Sequence, residues 1–158
     1  MSSELTSHTL IEEEFYKDIL KVLPVLTVDL IVRTAQEEFV LVKRKSHPLK
    51  DRFWTPGGRI YKGETAQQAA KRKCFEELGL QTELKNWSFI GFFEINARKS
   101  HFNLDCSTHT LSLVFAYSAS IDHNLINIDD TSSQFDLSKS LPELFIHLFQ
   151  NSLMVYNA

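Results

Sequence analysis

The sequence predicts an α/β protein, an α/β/α sandwich built round a mixed β-sheet, in a single domain over residues 1–158. Two observations carry that expectation. Runs rich in β-branched and aromatic residues lie on both sides of a strongly helical segment, Thr65 to Leu78, and further helical segments open and close the chain. Composition agrees, since 43% apolar residues with twelve phenylalanines suffice for one packed core in 158 residues. No repeat, low-complexity tract or Pro/Gly/Ser linker divides the chain.

Taken in order, Leu10 to Leu23 reads as a helix, because Leu10, Ile11, Phe15, Tyr16, Ile19, Leu20 and Leu23 share one stripe and Pro24 stops it. Val25 to Arg33 and Phe39 to Arg44 are β-rich runs that the short Thr34–Glu38 link would join as a hairpin. A polar loop, Lys45 to Arg52, follows. Thr65 to Leu78 is the clearest helix, with Thr65 as N-cap, Gly79 as C-terminal stop, and Ala66, Ala69, Ala70 and Cys74 as a small-residue face for close packing on a sheet. Trp87 to Arg98 and Cys106 to Ser118 read as long strands around a His/Asn/Asp-containing loop. Leu141 to Phe149 reads as a closing helix, with Ser140 as N-cap and Pro142 in its first turn.

Charge and cysteine content narrow the function classes. A net charge of −3 with no basic run argues against nucleic acid as a partner. No apolar stretch approaches a membrane span, and Met1 to Thr9 is too polar for a signal peptide. Cys74 and Cys106 lack metal-ligand spacing and are too few for a disulfide framework, so the expected location is the cytoplasm.

Chemistry concentrates between Gly57 and Leu80. Five residues separate Gly58 from Glu64, seven separate Glu64 from Arg72, and Lys73, Glu76, Glu77, Gly79 and Leu80 follow. Adjacent carboxylates repel, and at a helix C-terminus the dipole adds to the cost. A hard, oxygen-seeking cation such as Mg²⁺ or Mn²⁺ relieves both penalties. The same side chains also suit a solvated face, with Arg72–Glu76 and Lys73–Glu77 as i,i+4 pairs. With both glycines, Glu64 and Arg72 in register, residues 58–80 resemble the Nudix box.

That resemblance implies the α/β/α fold and hydrolysis of nucleoside diphosphates linked to another group. It also implies a divalent metal held by Glu76 and Glu77, with the Gly57 carbonyl within reach. One position departs: the glutamate expected after Arg72 is Lys73. The flanks Val28–Val32, Lys43-Arg44 and Trp54 to Arg59, together with Lys73, resemble GDP-mannose mannosyl hydrolases over most of residues 15 to 118. Members of that branch release GDP by attack at the sugar's anomeric carbon. The implied partner is then a nucleotide-sugar substrate, with a homodimer as the candidate assembly.

Individual side chains are weighed on that basis. Asp29 lies inside an apolar strand, beside Thr27 and Ile31 and opposite Leu26, Val28 and Leu30. It is either a polar residue on the wetter sheet face or a buried carboxylate answered by Arg44 or Arg59. Arg44, Arg59 and Arg72 suit a diphosphate, since guanidinium pairs with phosphate oxygens bidentately, although Arg72 in a Nudix box usually orients a glutamate. Arg59, Arg72 and Asp29 are the catalytic candidates, and Arg44, Arg59 and Asp29 the substrate-binding ones. Trp54 is expected in the core rather than stacked on a base.

The general base is unassigned. Mannosyl hydrolases take it from a Gln-His pair in the loop before the last helix, and the comparable Asp129 to Gln134 has no histidine. His109 shares parity with Leu111, Leu113 and Phe115, which predicts a packed strand position. His101, Glu94, Asp105, Asp129 and Asp130 are free to act. Two other readings follow: a pyrophosphohydrolase, against which Lys73 argues, and a Nudix-fold module that binds a nucleotide sugar without cutting it. ADP-ribose hydrolysis is disfavoured, because relatives with that activity often carry a proline downstream of the box and Gln81 to Phe115 has none.

Overall fold

The computed structural model describes residues 11–98 and 107–154. Helix α1 (Glu13–Val22) is followed by β1 (Val25–Ile31), β2 (Phe39–Arg44), β3 (Phe53–Trp54) and β4 (Gly57–Arg59). Then come helix α2 (Ala66–Leu78), β5 (Trp87–Ala97), β6 (Thr108–Tyr117), β7 (Ser132–Ser138) and helix α3 (Glu143–Met154). Two sheets form among the described residues, one of order β4-β1-β6-β5 and one of order β3-β2-β7. The first is mixed: β1 runs parallel to β6, while β4 pairs antiparallel with β1 and β5 with β6.

The larger sheet is packed on both faces, which makes the α/β/α sandwich expected from sequence. On one face Val28, Leu30 and Phe115 meet Ala69, Ala70, Cys74 and Leu78 of α2. The small side chains of α2 allow that close approach. On the other face Phe93 and Val114 meet Trp54 and Phe145 of α3. The Phe145 ring lies edge-on 5.5 Å from Trp54 and 5.2 Å from Phe93.

Both ends of α2 are as expected. The Thr65 hydroxyl accepts from the Gln68 N–H at 3.2 Å while the Gln68 side chain accepts from the Thr65 N–H at 2.7 Å, a reciprocal capping box. Gly79 adopts the left-handed conformation, φ 70°, and its N–H donates to the Phe75 carbonyl.

The structure corrects the expected hairpin and the start and cap of the last helix, and adds features the sequence did not announce. The predicted hairpin closes only at its tip, through the Arg33↔Phe39 bridge and the Val40 N–H to Val32 carbonyl bond. Beyond it the runs enter different sheets, because β4 and β6 occupy both edges of β1. Strands β3 and β4, two and three residues long, were not expected, nor was β7, whose Ser-Ser-Gln-Phe-Asp-Leu-Ser sequence has little apolar content; its ladder with β2 supplies what its side chains do not. Helix α3 starts at Glu143, not Leu141. Ser140 does not cap it, since its N–H and carbonyl bond the Ser138 hydroxyl, and the first helical bond runs from the Ile146 N–H to the Pro142 carbonyl. The apolar stripe of α1 is largely open to solvent, with only Leu20 buried and Ile11, Phe15 and Leu23 exposed.

The first turn of the box is fixed by close approach. A Cβ on Gly57 would lie 2.2 Å from the Val28 carbonyl oxygen, a backbone atom of the neighbouring strand. Gly57→Ala must therefore push β4 off β1, and urea unfolding should show a loss of about 1–3 kcal/mol.

Candidate active site

Helix α2 carries the box side chains to the β4 edge of the sheet. Arg72 forms the frame. Its Nε donates to Glu64 Oε2 at 3.0 Å and one terminal nitrogen to Glu64 Oε1 at 2.6 Å, the bidentate fork that guanidinium geometry favours. That same nitrogen donates to the Arg59 carbonyl at 2.8 Å, and the other reaches Glu76 at 3.0 Å. The guanidinium lies 3.9 Å from the centre of the Tyr61 ring. The donors of Arg72 are thus engaged within the protein, with Glu64 and Glu76 as its anionic partners.

Lys73 forms the second knot. Its ammonium lies 3.1 Å from Glu76 Oε2 and 3.0 Å from Glu77 Oε1. The Glu77 side chain is 8% exposed, and its other oxygen accepts the Gly57 N–H at 3.0 Å. Burial works against the Lys73 charge, but the Glu77 and Glu76 carboxylates outweigh it and raise the ammonium pKa above its ordinary value. Burial raises the Glu77 carboxyl, with the Lys73 charge and the Gly57 N–H opposing. Beneath this face, burial first and the Glu77 charge second push the Cys74 thiol up to about 12, so it carries no thiolate chemistry.

The metal expected on Gly57, Glu76 and Glu77 meets an occupied arrangement. Gly57 reaches the site through its N–H, and an ammonium already bridges the two carboxylates. Among the described residues no three Asp, Glu, His or Cys side chains gather as a metal site. The donors as arranged therefore do not fit a divalent ion.

Asp29 lies on the opposite face of the same strand from Val28 and Leu30, paired across the sheet with Gly57 and Val114. It is buried. Its Oδ1 accepts the Trp54 indole N–H at 2.7 Å and the Thr55 hydroxyl at 2.5 Å, and its Oδ2 accepts the Ser112 hydroxyl. Its direct partners are thus neutral donors rather than Arg44 or Arg59. Burial raises the Asp29 pKa, with the Ser112, Thr55 and Trp54 hydrogen bonds and then the Arg44 charge opposing. Trp54 is a core residue, as expected, and also a donor. Thr55, in the link between β3 and β4, and Ser112, in β6, carry no distinguishing sequence pattern as single hydroxyl residues.

A cleft of about 470 Å³ brings Asp29, Arg44, Arg59, Arg72, Lys73 and Glu77 to one surface, together with Gly57 and Gly58. This is the size range of small-ligand sites. The Arg59 guanidinium lies over the Tyr16 ring at 4.1 Å, and Arg44 Nε donates to the Pro48 carbonyl at 2.8 Å. Glu94 lies outside the lining and faces His109 at 3.7 Å. His109 is 44% exposed rather than packed. Asp129 accepts from Thr131, and the Asp130 carbonyl accepts from Lys45. His101, Asp105 and Cys106 lie outside the described residues.

The sandwich, the capped box helix and the glycine turn define a protein class, and comparison with known proteins agrees. The NUDIX domain family matches residues 23–139, and the chain belongs to that family. It is 34% identical to an ADP-ribose pyrophosphatase of Methanocaldococcus jannaschii, over 77% of this chain and 66% of that protein. The low-salt glycan biosynthesis protein Agl8 of Haloferax volcanii is 30% identical over 80% of this chain and 78% of that one. The NUDIX domain of Shewanella oneidensis NrtR, solved with ADP ribose, shares the fold with a TM-score of 0.58 at 19% identity, over 94% of this chain and 96% of that one. These matches support the superfamily without singling out GDP-mannose hydrolysis.

The buried Asp29 has a pH signature. Its folded pKa is raised, so the native chain holds this proton more tightly than the unfolded chain. Asp29 therefore costs stability as pH climbs from the ordinary aspartate value through the raised one. Urea unfolding followed as pH is raised above the ordinary aspartate value should show wild type losing stability relative to Asp29→Asn.

Proposed function

We propose that this chain hydrolyses the pyrophosphate of a nucleoside diphosphate derivative held in the cleft. One observation carries the reading: Arg44, Arg59 and Lys73 converge on a cleft whose wall is the Gly57-Gly58 turn, a placement suited to two bridged phosphates. The likeness to an ADP-ribose pyrophosphatase supports phosphorus as the reacting centre and ADP-ribose as a test substrate.

In the proposed reaction water attacks one phosphorus, a P–O bond forms as the water loses a proton to solvent, and the bridging P–O bond breaks to leave a nucleoside monophosphate and a phosphorylated remainder. Arg44 and Arg59 take up charge on the phosphates and on the departing oxygen. Arg72 is a positioning residue, holding Glu64 and Glu76 and tying the Arg59 carbonyl to α2. Asp29 holds Trp54 and Thr55 below the cleft. In a cofactor-bearing Nudix enzyme the divalent ion would neutralise the diphosphate; in this cleft Arg44, Arg59 and Lys73 supply positive charge.

Two further readings stay in view. Attack at the anomeric carbon of a GDP-sugar is the expectation from Lys73 and the flanking residues. Binding without cleavage is favoured by the Lys73 bridge, which engages both adjacent box carboxylates.

A panel of ADP-ribose, GDP-mannose and other nucleoside diphosphate sugars, run in ¹⁸O water, separates the three. The expected result is monophosphate plus sugar phosphate, with label in phosphate. Label in free sugar would transfer the choice to attack at carbon, and binding without product would leave the sensing module. Arg44→Ala and Arg59→Ala should each lower kcat/KM by roughly tenfold or more, measured on the best substrate.

A further inference from the structure

Each box carboxylate already has a cation supplied by the protein. Glu64 is forked by Arg72, Glu76 is shared between Arg72 and Lys73, and Glu77 is held by Lys73 and the Gly57 N–H. The lysine is built in rather than laid over the surface. Its side chain is 13% exposed, and its stem runs so close to Gly58 that a Cβ there would lie 2.6 Å from Lys73 Cε and 3.3 Å from Cδ. A side chain at 58 would have to move the end of that stem aside. An ammonium has three N–H donors. Two are directed to Glu76 Oε2 and Glu77 Oε1, and the side chain also lines the cleft.

We propose that Lys73 is the resident cation of this site: its ammonium takes the place of a divalent ion between Glu76 and Glu77 and presents its remaining donor to a phosphate oxygen of the ligand. A lysine can do this where a glutamate cannot, because it supplies the positive charge that a carboxylate would have to recruit from solution. A divalent ion entering between Glu76 and Glu77 would have to displace an ammonium about 3 Å from each carboxylate, against like-charge repulsion at short range and low exposure. The phosphate half rests on the diphosphate reading above. The cation half does not.

The test uses Mn²⁺ alone, titrated calorimetrically into the full chain and into Lys73→Gln. Wild type should show no one-site binding below about millimolar Mn²⁺, whereas the variant should bind one ion roughly tenfold or more tighter. Thermal unfolding gives an independent readout. The wild-type midpoint should not move between EDTA and Mn²⁺, while that of Lys73→Gln should fall in EDTA and recover in Mn²⁺. Micromolar one-site binding by wild type, or equal affinity in the two proteins, overturns the proposal. Wild type alone decides it if the variant does not fold. Inorganic pyrophosphate then probes the other half: in EDTA wild type should bind it roughly tenfold or more tighter than Lys73→Gln does, and equal affinity would overturn the phosphate contact. Neither titration contains a nucleotide, so a negative product assay would count against the proposed reaction and leave the cation assignment standing.

Discussion

Glu77 rides the last turn of α2 into a place where little water reaches it, and the surroundings of the glycine turn are arranged to answer its charge. An unpaired carboxylate there would cost several kcal/mol. Two partners offset that cost, the Gly57 N–H and the Lys73 ammonium. The first requires β4 to lie hard against β1, which is why a side chain at 57 has no room. The second requires the lysine stem to cross Gly58. One buried charge thus links the helix, the turn and the sheet edge.

A second buried carboxylate organises the opposite face. Asp29 sits on the central strand β1 and gathers donors from the Trp54-Thr55 segment and from β6. Trp54 in turn packs on Phe93 and Phe145. The floor of the cleft is therefore continuous with the core under α3. Any movement of that strand is felt by both carboxylates, because Gly57 pairs with Asp29 across the sheet and donates to Glu77.

Arginine and lysine divide the work according to their geometry. Arg72 is a planar fork, so it can span Glu64, Glu76 and a backbone carbonyl at once. Lys73 is a compact point charge on a flexible stem, so it fits between two adjacent carboxylates where a guanidinium would not. With these charges matched internally, the cleft is also lined by Arg44, which donates to the Pro48 carbonyl, and Arg59, which lies over the Tyr16 ring.

The box helix, its two ends, its small-residue face and the strands β1, β2, β5 and β6 were legible in the sequence, because each depends on local chemistry: a capping hydroxyl, a glycine that accepts a left-handed backbone, an apolar or β-branched run. So was the i,i+4 pairing of Lys73 with Glu77, which spacing alone dictates. Tertiary structure decided the rest. Ser112 lies far from Asp29 in sequence and meets it only because β1 and β6 run parallel in that register. Arg72 pairs with Glu64, eight residues earlier and just outside α2, which no helical i,i+3 or i,i+4 spacing dictates. Strand β7 has too few apolar residues to announce itself and is held by its partner's ladder. The apolar stripe of α1 is real, yet stripe and burial differ, since a hydrophobic face predicts a helix and not what packs against it. Local chemistry determines which elements form; long-range pairing determines which charges meet, and that is where the site lies.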